Sequence, residues 1–156
     1  MAVITTKVRD KEGAYVNLLE YDDIEGFVSI NNVSKKRIST VKAVLSEGKK
    51  EMMQVLRVDK HKMCIDLNKK NINPDDKDEA HKRYLNAKKV HIIMKQTARK
   101  LKVPDSELYE AWGWDLYDIF EHAYIAFRII LTDPEAVFSK IDIEPEQREA
   151  LIDVLK

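Results

Sequence analysis

Five short β-prone runs crowd into the first 68 residues, and this most constrains what the chain can fold into. Residues 2–8 form the first, rich in β-branched side chains. Arg9-Asp10-Lys11-Glu12-Gly13 then turns the chain, with Gly13 available for positive φ. Ala14 to Leu19 is the second run, and Tyr21-Asp22-Asp23 turns again. Ile24 to Ile30 alternates apolar with small or polar residues, as a half-buried strand does. A long polar stretch follows, with Ser46-Glu47-Gly48 near its end. Glu51–Val58 and Met63–Asn68 are the fourth and fifth runs, joined by Asp59-Lys60-His61-Lys62.

The pattern changes period after residue 70. Asn73 is placed to cap a helix, Pro74 suits the first helical position, and Asp75 and Asp76 favour the positive end of its dipole. Ala80, Tyr84, Ala87, His91, Met94, Ala98 and Leu101 then recur at helical spacing and predict one apolar stripe. Further helices are expected from Pro104 through Trp112, broken at Gly113, from Trp114 to Leu131, through Phe138, and from Pro145 onward. Trp112 and Trp114 are read as core anchors. Five short strands, tight turns and one long loop after the third predict an all-β OB-fold, followed by an all-α domain. The boundary is placed between residues 71 and 72, giving domains 1–71 and 72–156.

Composition excludes several function classes. No apolar run approaches the roughly 20 residues of a membrane span, and the N-terminus lacks a signal pattern, so no membrane role and a cytoplasmic location are expected. Cys64 is the one cysteine, which rules out an internal disulfide and suits a structural place in a strand. Glycine-rich phosphate loops, nucleophile elbows and zinc motifs are missing. His91 reads as a packed or hydrogen-bonded histidine, and Asp75, Asp76, Asp78 and Glu79 as a helix N-terminus. No catalytic residue, metal or cofactor is therefore expected.

Net charge is zero, yet it is segregated. Residues 35–62 carry 9 basic and 3 acidic residues and residues 63–102 carry 11 and 5, whereas residues 103–156 carry 4 and 13. A basic middle between acidic ends points to a polyanion partner such as RNA. At the front of that zone Ser34 is followed directly by Lys35, Lys36 and Arg37. Two readings stand: an exposed serine in a basic loop, or a regulated phosphosite whose phosphate, bringing about −1.5 to −2 charges, pairs with those cations. Tyr15 is a candidate for stacking on a base or for packing; Phe27 is assigned to the core.

Gly13-Ala14-Tyr15-Val16, Glu25-Gly26-Phe27-Val28, Val55-Leu56-Arg57-Val58-Asp59 and Ile65-Asp66-Leu67 resemble an S1 RNA-binding domain over residues 2–70. With Ser34-Lys35-Lys36-Arg37-Ile38, Ala123-Tyr124-x-Ala126-Phe127 and Glu146-Gln147-Arg148-Glu149, the whole chain resembles the alpha subunit of eukaryotic translation initiation factor 2. The resemblance implies an S1-like five-stranded barrel and a helical domain, without the α/β domain that docks the family onto its gamma subunit. It implies beta and gamma subunits, initiator tRNA, mRNA, the small ribosomal subunit and a guanine-nucleotide exchange factor as partners. It also implies stress-activated serine/threonine kinases that phosphorylate Ser34 and so turn the factor into an inhibitor of its exchange factor. Lys35, Lys36 and Arg37 would flank the phosphosite and approach RNA. Lys62, Met63, Cys64, Ile65 and Asp66 match the kinase-docking segment, where the family usually reads Lys-Gly-Tyr-Ile-Asp. Met63 and Cys64 depart from it, as Asn31-Asn32 depart from the more common Ser-Glu, which suggests a divergent eukaryote. A generic S1-type RNA-binding protein of RNA metabolism is the alternative.

Overall fold

The structure, a computed structural model, describes Met1–Lys156, the side chains of Val3 and Val8 excepted. Strand β2 (Gly13–Leu18) buries Ala14, Val16 and Leu18 and turns Tyr15 and Asn17 the other way. In β3 (Ile24–Ser29), Gly26 and Val28 face inward. This two-residue period gives each strand one core face. With β1 (Ala2–Arg9), β4 (Lys50–Asp59) and β5 (Cys64–Asn68) the strands close in the order β1-β2-β3-β5-β4, leaving no open edge. All pairs are antiparallel except β3 and β5, which run parallel with Phe27 opposite Asp66 and Val28 opposite Leu67. Register slips between Thr6 and Val8 and between Val55 and Arg57 mark bulges that help the sheet bend. Ile4, Val16, Val28, Met53 and Leu67 are the centre of the core.

The first turn works differently from the expectation. Gly13 does not take positive φ; that conformation falls on Asp22 and Asp23 in the next turn. The carboxylate of Asp10 accepts the N–H groups of Glu12 and Gly13 at 2.8 and 2.7 Å and shapes the bend. Gly13 is needed for a close approach: a Cβ there would stand 2.2 Å from the Val28 carbonyl oxygen. Phe27 is also corrected. It lies outside the barrel core, half-buried against Tyr15 across the strand pair, because its neighbours Gly26 and Val28 take the inward positions.

The chain divides into two compact units, Met1–Tyr84 and Leu85–Lys156, and the division falls inside helix α1 (Pro74–Leu101). Asn73 caps α1 by accepting the Asp75 N–H at 3.0 Å. The buried residues of α1 are Val90, Met94, Thr97 and Ala98, so the stripe runs beside His91 and not through it. His91 is exposed and shares a hydrogen bond with the Tyr109 hydroxyl at 3.3 Å. Lys102, at φ 59°, ends α1, and the Val103 N–H returns to the Ala98 carbonyl.

In the second unit, α2 (Asp105–Leu108) passes through one π turn (Tyr109–Gly113) into α3 (Trp114–Phe120). Gly113 therefore does not break the chain's helical course. Its value is space, since a Cβ would lie 3.0 Å from the Met94 methyl carbon. The single helix expected from Trp114 to Leu131 is two. Glu121 adopts φ 62°, and the extended His122 caps α4 (Ala123–Ile130) by accepting the Tyr124 N–H on Nδ1. Helices α5 (Glu135–Phe138) and α6 (Pro145–Leu155) complete the unit. Trp112 is fully buried with Leu116, Phe127 and Leu151, and its indole N–H donates to Gln147 at 3.1 Å. Trp114 is not a core anchor: it is 56% exposed, with its ring in tilted contact with Tyr109 on one side and Tyr117 on the other.

Candidate functional site

Ser34 sits in the long connection between β3 and β4. Ser29 opens it by capping a 3-10 turn over Ile30–Asn32, its hydroxyl accepting the Asn31 N–H. Val33 is buried just before Ser34, and Val41 and Leu45 are buried after it. Apolar anchors thus hold both arms of the connection on the barrel and leave Lys35, Lys36 and Arg37 exposed between them. Ser34 itself is half-buried, and its Oγ accepts the Lys36 N–H at 3.1 Å, which closes a tight local turn.

The structure adds a residue that sequence reasoning missed. Lys70 lines the same depression as Ser34, Lys35, Lys36 and Arg37, together with Ile30, Asn31 and Ile38. It arrives from the end of β5 because that strand runs parallel to β3. The N–H groups of Lys69 and Lys70 both donate to the Asn32 carbonyl, at 2.8 and 3.1 Å. No carboxylate lines this depression, and among the described residues none of its four cations has an ion-pair partner. Lys69, by contrast, is taken by Glu51 at 2.6 Å. The arrangement is an anion-receiving surface around one hydroxyl.

Lys62, Met63, Cys64, Ile65 and Asp66 lie on the β4–β5 hairpin. Asp59 organises it, its carboxylate accepting the His61 and Lys62 N–H groups at 3.1 Å and pairing with Arg57 at 3.0 Å. Those donors, Lys62 first, hold the Asp59 carboxyl below its ordinary range. Met63 adopts φ 52° and is 72% exposed. The backbone here wants a left-handed residue, which explains why the resemblance places a glycine at this point. Cys64 is exposed, so the expectation of a structural cysteine is not met; Ile65 alone of the five is buried.

Strand register assembles an outer row, Tyr15–Phe27–Asp66–Arg57, across β2, β3, β5 and β4. The Tyr15 and Phe27 rings lie 5.1 Å apart, and Tyr15 is 40% exposed. The exposed Tyr15 ring suits stacking on an unpaired base, and Arg57, at the far end of the row, lines a shallow depression with Phe27. The row draws one residue from each of four strands, so a reading of any one strand hides it. Among the described residues no group of carboxylates, histidines and cysteines is arranged to hold a metal, and no helix is long and apolar enough to cross a membrane.

A family model of the S1 RNA binding domain matches residues 1–70, and one of the eukaryotic translation initiation factor 2 alpha subunit matches residues 108–156. The Arabidopsis thaliana eukaryotic translation initiation factor 2 subunit alpha is 40% identical over 148 residues, covering 94% of this chain and 43% of that protein. The Dictyostelium discoideum eukaryotic translation initiation factor 2 subunit 1 is 36% identical, covering 92% and 43%. The chain thus spans about two fifths of the length of these curated relatives. The intact alpha subunit of aIF2 from Pyrococcus abyssi superposes with a TM-score of 0.89 at 24% identity, covering 99% of this chain and 59% of that one. The alpha subunit in an a/eIF2alpha–aDim2p–rRNA complex from Pyrococcus horikoshii OT3 gives 0.84 at 24% identity, covering 99% and 91%. These two structures share the fold, an S1-type barrel followed by helices. Matches to both halves in one order, on a shared fold, mean that the chain belongs to the family of the alpha subunit of eukaryotic translation initiation factor 2 and carries its S1 and helical domains.

Proposed function

We propose that this chain acts as the regulatory part of the initiation factor that delivers initiator tRNA to the small ribosomal subunit, with Ser34 as its switch. It performs no chemistry of its own; a stress-activated kinase acts on it in the cytoplasm. The observation that carries this reading is the half-buried Ser34 in a depression lined by four cations and no carboxylate. A phosphate on that hydroxyl supplies three strong acceptors where donors already stand. The Ser34 oxygen already accepts the Lys36 N–H, and a phosphate there offers that N–H further acceptor oxygens. The phosphorylated loop then offers the exchange factor a surface that the free loop lacks. The outer row of Tyr15, Phe27, Asp66 and Arg57, with the loop cations, faces mRNA or tRNA. The beta and gamma subunits are partners of the whole protein.

The test is kinase treatment followed by phosphosite mapping by mass spectrometry and a binding titration with the exchange factor. Affinity is expected to rise on phosphorylation, to be unchanged by Ser39→Ala, and to lose its kinase dependence in Ser34→Ala. Kinase-treated Ser34→Ala protein that still gains affinity overturns the assignment. Loss of exchange-factor binding in both states favours the alternative, a generic S1-type RNA-binding protein, for which the same outer row is the supporting observation.

A further inference from the structure

Lys35, Lys36 and Arg37 line one depression with Ser34, and all three belong to the serine's own exposed loop. A fourth cation lines the same depression from outside that loop: Lys70, which follows the end of β5. Lys70 is fixed by its backbone, its N–H lying within hydrogen-bond distance of both the Asn32 carbonyl and the Asn68 side-chain oxygen, at 3.1 and 3.2 Å. Its ammonium has no carboxylate partner, unlike that of its neighbour Lys69. The acceptor Asn32 is two residues from Ser34, so the Lys70 backbone stands next to the serine's own loop.

We infer that Lys70 is the barrel-side ligand of a phosphoserine at position 34, clamping the modified loop onto the end of β5. This rests on the reading of Ser34 as the phosphosite and adds how the phosphate is held. The ligand is a phosphate dianion bound within the same chain. The Lys70 ammonium closes it from the barrel, and one or two of the loop cations close it from the solvent side. The flexible stem of lysine suits a phosphate that arrives with a moving loop. Phosphorylation in this account does more than add charge. It ties the β3–β4 connection to β5 and gives the partner one ordered loop to read, which lowers the ordering cost paid on binding.

The experiment uses the 156-residue chain with phosphoserine at position 34, installed by kinase or, if no kinase accepts the chain, during translation with an expanded genetic code. The second pKa of the phosphate is read by phosphorus NMR. It is expected below the ordinary value of about 6. Lys70→Ala and Lys70→Gln are expected to raise it by about half a unit, because a nearby cation favours the dianion. Lys70→Arg is expected to stay near the parent value. Lys69→Ala, the same loss of charge one residue away, is expected to leave it in place. An unchanged pKa in both Lys70→Ala and Lys70→Gln overturns the inference, as does an equal shift in Lys69→Ala, which would indicate only a general field. Failure of every kinase to modify Ser34 sinks the proposed switch but leaves this measurement intact, so the two failures are distinguishable.

Discussion

The barrel carries two cationic loops that are anchored in opposite ways. The β3–β4 connection presents Lys35, Lys36 and Arg37 with no carboxylate beside them, and it is held by buried Val33, Val41 and Leu45. The β4–β5 hairpin presents Lys60, His61 and Lys62, and it holds itself through Asp59, which takes two backbone N–H groups and Arg57. One loop is held by apolar anchors and has no carboxylate beside its cations. The other is held by a carboxylate that takes two backbone N–H groups and Arg57, while the Lys60 and Lys62 side chains stay exposed. Cations beside a hydroxyl with no carboxylate among them are what an incoming anion requires.

The anchors are where this comparison breaks most sharply. Leu45 is fully buried in the barrel core. Leu45→Ala is expected to cost about 2–5 kcal/mol, the usual range for a core leucine. Lys60→Ala in the other loop is expected to stay within about 0.5 kcal/mol, because an exposed lysine loses little. Urea unfolding of the two variants decides it. Similar losses for both would mean that the long connection is not anchored through its apolar residues.

The contrast also shows what was legible beforehand. Five strands, their turns and the helix start at Asn73-Pro74 follow from local rules, because period and capping chemistry act within a few residues. Ser34 and its cations stood out as a contiguous motif. Lys70 did not, because it reaches the site only through the parallel pairing of β3 with β5, a tertiary fact. The break at Glu121 and His122 was equally hidden. A positive φ on glutamate carries no sequence signal, and the histidine cap replaces the residue types that usually announce a helix start. Trp114 was misplaced because size alone argues for burial, whereas α3 turns it toward Tyr109 and Tyr117 at the surface.

Met63 sharpens the comparison at an intermediate level. A side chain in the left-handed region costs roughly 1 kcal/mol relative to glycine. Met63→Gly is therefore expected to stabilise the chain by about that amount, less the entropy glycine adds to the unfolded state. Met63→Gly with Cys64→Tyr restores the sequence the resemblance implies for kinase docking. The pair is expected to raise kcat/KM for phosphorylation of Ser34 by a typical family kinase. No gain in kcat/KM, with stability improved as expected, would separate the hairpin's backbone strain from kinase recognition.

The smallest effect is the most diagnostic, because only one loop contains a titrating clasp. The Asp59 carboxyl is held below its ordinary range, chiefly by the Lys62 N–H, with Arg57 and the His61 N–H adding to it against a partial burial that pushes the other way. A carboxyl whose folded pKa is depressed stabilises the folded state fully above its unfolded value of about 3.9, and that contribution is lost as pH falls through the folded value. The Lys62 amide resonance is therefore expected to move below about pH 4 as the carboxylate takes up its proton. Asp59→Asn keeps an acceptor oxygen and removes the Asp59 titration, so its Lys62 amide is expected to stay flat below about pH 4. The Lys36 amide, bonded to the Ser34 hydroxyl, has no titrating acceptor and is also expected to stay flat over the same range. An NMR titration that moves the Lys36 amide together with that of Lys62 below about pH 4 would mean that acid loosens the barrel as a whole. Movement confined to the hairpin identifies Asp59 as the clasp, and it leaves the Ser34 loop as the one that responds to an added phosphate and not to pH.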